Sequence, residues 1–329
     1  MKLNILFAVA FSIFSVFAGA AGSGPEKFAQ LGTALATPSE TRLASGAPGP
    51  RYWQQRADYV IDVALDDERQ KIVGSETITY HNDSPHSLHY IWLQLDQNRF
   101  RPDSDDVLTK SAPNFDKLPF RTMANLLKRR EFNGGVDIVS LRTSDGAKLD
   151  YTVVKTMMRI ELPQPLEAGQ QFIFSIEWRH NIVDAVAIRA RGGYEYFSED
   201  KNYIYEIAQW YPRVVAYTDY QGWQNKQFLG RGEFTLELGN YEVSITVPAD
   251  HIVAATGVLS NADDVLSKAQ LKRYRKPQSS TELGFIVTPD EASENAKNRS
   301  RRSKTWKFKA DKVRDFAFAS SRKFIWDAQ

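Results

Sequence analysis

A chain of 329 residues with 42% hydrophobic and 12% aromatic content can bury a full core, and its 42 Lys and Arg against 40 Asp and Glu leave a net charge of only +2. That balance argues against a nucleic-acid partner, because neutralising phosphates takes a concentrated basic face. The lack of any cysteine excludes thiol catalysis and disulfide stapling.

The chain opens with Lys2, an apolar run from Leu3 to Phe17 and the small residues Ala18-Gly19-Ala20. This reads as a secretory signal over residues 1–20, cut near Ala20, since the run is shorter than the ~20 apolar residues a bilayer span needs. The expectation is a bacterial periplasmic or secreted protein with no membrane partner after signal cleavage. Residues 21–51 are rich in Gly, Ala, Pro and Ser and read as a flexible lead-in. The folded part is expected from Tyr52.

Alternation then takes over. Tyr59, Ile61, Val63 and Leu65 mark one face of a strand, "DDERQ" a turn, and "IVGSETITYHN" the returning strand of a hairpin. Further strands are predicted at "LHYIWLQL", "VDIVSLRT", "LDYTVV", "MMRIEL" and "FIFSIEWRH", with turns at Ser144-Asp145-Gly146 and "EAGQ". "EFTLELGNYEVSITVP", "IVAATG" and the closing "KTWKFKADKVRDFAFASSRKFIWDAQ" continue the pattern. Helices are predicted only at Arg121 to Phe132 and at Ala262 to Tyr274, the second with an Asp as its cap. Polar residues from Lys276 to Lys304 predict surface excursions, and the basic run from Arg299 to Lys304 reads as a solvated loop. The pattern predicts a mainly β, antiparallel-rich domain. Its last strand halts in mid-pattern, as expected of a chain that has been cut.

Catalytic motifs are missing. There is no G-x-S-x-G elbow, no P-loop and no H-E-x-x-H, and the histidines are His81, His86, His89, His180 and His251. "HNDSPHSLH" spans a turn, where polar residues are expected without a metal. Glu195, Glu199, Asp200, Glu206, Asp219, Glu233 and Glu237 lie close in sequence, but paired-carboxylate chemistry rests on a separation in space that sequence does not give. No catalytic residue, metal ligand or cofactor is therefore assigned within this chain.

Four stretches, in order, carry a resemblance: "YVIDVALDDERQKIVGSETITYHNDSPHSLHYIWLQLDQN", "AQWYPRVVAYTDYQGW", "GEFTLELGNYEVSITVPADHIVAATG" and "KTWKFKADKVRDFAFASSRKF". Together, over residues 52–329, they resemble the N-terminal, saddle-shaped β domain of the aminopeptidase N family of zinc metallopeptidases. The resemblance implies a large, mixed but antiparallel-rich saddle-shaped β-sheet domain with a few short helices. In that family this domain precedes a thermolysin-like catalytic domain with H-E-x-x-H, a distal Glu ligand and a G-x-M-E-N loop, none of which is in this chain. It thus implies an exported aminopeptidase truncated before its zinc site, with zinc in the missing domain. The implied partners are that catalytic domain and, in the intact enzyme, peptide substrates. It also implies that Gln209 matches the family's Gln that receives the free α-amine of the peptide. The chemistry is compatible, since an amide oxygen accepts from an ammonium and adjacent rings offer a cation–π face. Trp210, Tyr211 and Trp223 are expected chiefly as core and interface packing. The alternative is a free-standing exported β-rich module that binds carbohydrate or protein.

Overall fold

The structure, a computed structural model, describes residues 38–188, 190–232, 234–276 and 284–328. The signal expected over residues 1–20 lies outside them, as do residues 21–37 of the lead-in. The chain divides into two compact units, 1–52 and 53–329. In the first, the described residues form a turn closed by the Leu43 N–H donating to the Ala47 carbonyl (2.9 Å) and by an exposed Arg51–Glu40 ion pair (2.8 Å).

The second unit is mainly β. Its strands are β1 (Arg56–Asp66), β2 (Lys71–His81), β3 (Leu88–Gln94), β4 (Asp137–Thr143), β5 (Tyr151–Val154), β6 (Met157–Leu166), β7 (Gln171–Asn181), β8 (Gly193–Phe197), β9 (Asn202–Ile207), β10 (Arg213–Val214), β11 (Tyr217–Thr218), β12 (Gly222–Trp223), β13 (Gly239–Pro248), β14 (Ile252–Ala255), β15 (Val258–Leu259), β16 (Gly284–Val287), β17 (Ser303–Val313), β18 (Phe318–Ser321) and β19 (Trp326–Ala328). The helices are α1 (Asp105–Leu108), α2 (Phe120–Glu131), α3 (Ala185–Ile188), α4 (Ala262–Val265), α5 (Lys268–Tyr274) and α6 (Pro289–Lys297).

Seven strands form one sheet in the order β15-β17-β13-β1-β2-β7-β4. Every pairing in it is antiparallel except β1 with β13, which run parallel with Tyr59 opposite Tyr241. Two four-stranded sheets, β10-β3-β6-β5 and β14-β18-β9-β8, complete the framework with two small ribbons. Alternation decides which face is buried. Tyr59, Ile61, Val63 and Leu65 of β1, Ile72, Ile78 and Tyr80 of β2, Phe174, Ile176 and Trp178 of β7, and Trp306 and Phe308 of β17 all enter one core.

Three local expectations change. "EFTLELGNYEVSITVP" is strand only from Gly239 onward, because Leu236 and Glu237 are buried consecutively and break the period of two. The helix expected from Ala262 to Tyr274 is two, α4 and α5. Leu266 between them is extended and buried, and Ser267 starts a new helix with a capping box to Gln270 rather than an Asp cap. The polar span after Lys276 holds β16 and α6, the latter started by a Thr288–Glu291 capping box with Pro289 in its first turn. Residues 277–283 lie outside the described part.

Candidate functional site

Strand β9 sits between β8 and β18 and delivers the stretch singled out by sequence. Its last residue, Ile207, is buried, Ala208 is exposed, and Gln209 has φ +55°. A side chain in the left-handed region costs about 1–2 kcal/mol, so the surroundings must hold Gln209 there. They do so from both sides. Gln97 Nε2 donates to the Gln209 carbonyl (2.9 Å), and the next residue, Trp210, is buried with its indole N–H donating to the Phe316 carbonyl (2.8 Å). The Trp210 carbonyl lies 3.0 Å from His180 Nε2, and His180 Nδ1 lies 3.1 Å from the Asn181 carbonyl. Burial lowers the His180 pKa despite these two acceptors, so a neutral imidazole donates to one of them.

Beyond Trp210 the chain is tied into the core by charge. The Tyr211 hydroxyl donates to Asp315 (2.8 Å), and Arg213 binds Asp96 (2.7 Å) and Asp315 (2.5 Å). Burial would pull the Arg213 pKa down, but the Asp96 and Asp315 carboxylates outweigh it and the guanidinium stays charged. The Val214 N–H donates to the Tyr59 hydroxyl (3.0 Å). Trp210 and Tyr211 are therefore core residues, as expected for the aromatics. Trp223 is half-buried in a cluster with Tyr80, Tyr90 and Tyr217. What reaches the surface is the ledge Glu206, Ala208 and the partly exposed Gln209 amide, which makes no hydrogen bond with the described residues. Behind the ledge, Gln97, His180 and Glu206 help line a cavity of about 10 Å³, room for one water and no ligand.

The carboxylates close in sequence do not assemble. Asp200 is bound to Lys323, Glu237 is buried and accepts from the Tyr217 N–H (2.9 Å), and Glu195, Glu199 and Glu206 are exposed. Asp219 is half-buried, and Glu233 lies outside the described residues. The histidines are scattered as well. His81 binds Asp58 (3.0 Å), His86 meets the Tyr217 hydroxyl (2.9 Å), His89 is exposed, and His251 contacts Ser320 (2.8 Å). Among the described residues no three His, Asp or Glu side chains converge for a metal, so these residues do not fit a catalytic zinc site.

Sequence reasoning missed the buried acids Glu76, Asp96 and Asp315's pairing. Glu76 had a signal, since it takes an inward position in the alternation of β2 between Gly74 and Ile78.

No protein-family model matches this chain, and no curated protein does. Among solved structures, it is similar to a mutant of a two-domain M1 zinc metallopeptidase bound to L-tryptophan, with a TM-score of 0.39 and 11% identity over 83% of this chain and 44% of that one. It is also similar to the M1 zinc metallopeptidase of Deinococcus radiodurans, with a TM-score of 0.38 and 12% identity over 83% and 43%. A mutant of that enzyme bound to a Tyr-Ser-Ala substrate gives a TM-score of 0.40 and 11% identity over 81% and 42%. The chain thus spans less than half the length of each.

Proposed function

We propose that residues 53–329 are the substrate-side scaffold of an exported zinc aminopeptidase, with the side-chain amide of Gln209 receiving the free α-amine of a peptide. The observation that carries this reading is the strained backbone at Gln209. A left-handed glutamine is held at a surface ledge by a buried Trp on one side and Gln97 on the other, while its own amide is left open to a ligand. The four-motif sequence resemblance supports it. Metal chemistry belongs outside these residues, because among the described ones no three potential ligands converge. Their part is to bind and orient: the amide oxygen accepts from an ammonium, and the rigid core behind it fixes where that ammonium sits.

Reading the coding sequence past codon 329 tests the proposal. An in-frame H-E-x-x-H followed by a distal Glu, in a protein that releases N-terminal residues from peptides, is the expected outcome. A stop at codon 330 in a normally exported protein would assign the chain to a free-standing binding module instead.

A further inference from the structure

Helix α2 is mounted the opposite way to an ordinary surface helix. At 100° per residue, Phe120, Met123 and Leu127 share one face and Thr122, Asn125 and Arg129 share the other. The half-buried residues are Thr122, Asn125 and Arg129, so the polar face is turned toward the protein. Arg129 fixes this orientation by donating to Asp106 (2.5 Å), a buried carboxylate that also binds Lys110 and Arg99. The apolar face is left outward, with Phe120 90% exposed, Leu127 53% and Met123 44%. Phe115, just upstream, is 67% exposed. Large apolar side chains are ordinarily buried together, so leaving such a face open needs a reason.

The charges around this face indicate what covers it. Apart from Arg129, which is turned inward onto Asp106, the stretch from Phe115 to Glu131 carries four cations, Lys117, Arg121, Lys128 and Arg130, against Asp116 and Glu131, a net +2 that equals the charge of the whole chain. At 100° per residue Arg121 and Lys128 flank the apolar residues on one side and Arg130 on the other, while Glu131 follows Leu127 on the apolar face only in the last turn. A second copy of the same face would bring like charges together. A low ridge of Phe, Met and Leu between basic borders suits an anionic lipid surface, where the rings enter the acyl boundary and the cations stay among the headgroups. We propose that α2, with Phe115, docks this protein peripherally onto anionic phospholipid. This is distinct from spanning: among the described residues no helix is long and apolar enough to cross a membrane. It is also independent of the reading of Gln209.

The cysteine-free chain allows a direct test. The full-length protein carrying Leu127→Cys is labelled with an environment-sensitive NBD fluorophore and mixed with vesicles of phosphatidylcholine with or without phosphatidylglycerol. A parallel label at Ser75→Cys, on an exposed position of β2, reports vesicle contact that does not involve the helix. The expected result is a blue shift at position 127 only with phosphatidylglycerol, reversed by high salt and absent at position 75. Arg121→Glu with Lys128→Glu, both at exposed positions, should weaken vesicle binding by roughly thirtyfold or more while leaving the thermal melt unchanged. No shift with anionic vesicles, or an equal shift with neutral ones, would overturn the proposal. So would a shift that grows with protein concentration in the absence of lipid, which would assign the face to a second copy.

Discussion

Glu237 carries a charge that changes in the ordinary pH range. Burial pushes its carboxyl up to about 7, with the Tyr217 N–H and Arg314 only partly offsetting it. The folded state therefore holds this proton after the unfolded chain has released it. The stability it contributes is full below about pH 4.5 and is lost as pH rises through 7, an effect on the order of 3 kcal/mol. His251 acts with the opposite sign: burial, then the Arg322 charge, depress it to about 4, so its contribution is lost as pH falls below 6.5. Comparing wild type with Glu237→Gln isolates the first effect, since Gln can still accept from the Tyr217 N–H. Urea unfolding at pH 5 and pH 7.5 should show the variant losing less stability over that interval than wild type. Identical losses in both would place the titration elsewhere. Glu76, fully buried with neither carboxyl oxygen hydrogen-bonded among the described residues, is raised well above the usual carboxylate range by burial, so it adds to the loss of stability with rising pH in wild type and variant alike.

Among the elements, β2 and β7 meet in a close local fit. Gly74 stands opposite Trp178, and a Cβ at Gly74 would lie 2.5 Å from the indole ring, so the glycine is there to let the ring lie flat across the strand. Gly74→Ala should cost about 1–3 kcal/mol, read as a lowered Tm, because Trp178 is wholly buried and has nowhere to move. An unchanged Tm would mean that the indole is not held against the strand. Such elements were legible in the sequence because period-two alternation is local: β1, β2, β7 and β13, the later part of its expected strand, fall where it placed them. The split of α4 from α5 was not, since it depends on Leu266 being drawn into a core assembled from distant strands. The αL backbone of Gln209 carried no signal either, because the residues that announce that conformation are Gly and Asn.

At the scale of the molecule, the ledge is made by pairings that no local pattern records. Arg213 meets Asp96 and Asp315 across 117 and 102 residues, and β1 finds β13 in parallel after most of the other strands have intervened. These contacts set the position of Trp210 and hence the left-handed turn before it. As proposed above, this rigid frame aims the Gln209 amide at a peptide amine. Gln209→Gly tests it most directly, because glycine accepts φ +55° without strain while removing the amide. The measurement is calorimetric titration of wild type and Gln209→Gly with one short peptide carrying a free α-amine and with its N-acetylated form. Wild type should prefer the free amine, and Gln209→Gly should lose this preference by about tenfold or more with an unchanged or higher Tm. Equal binding of the free and acetylated peptides by wild type, or a preference that survives the substitution, would contradict it.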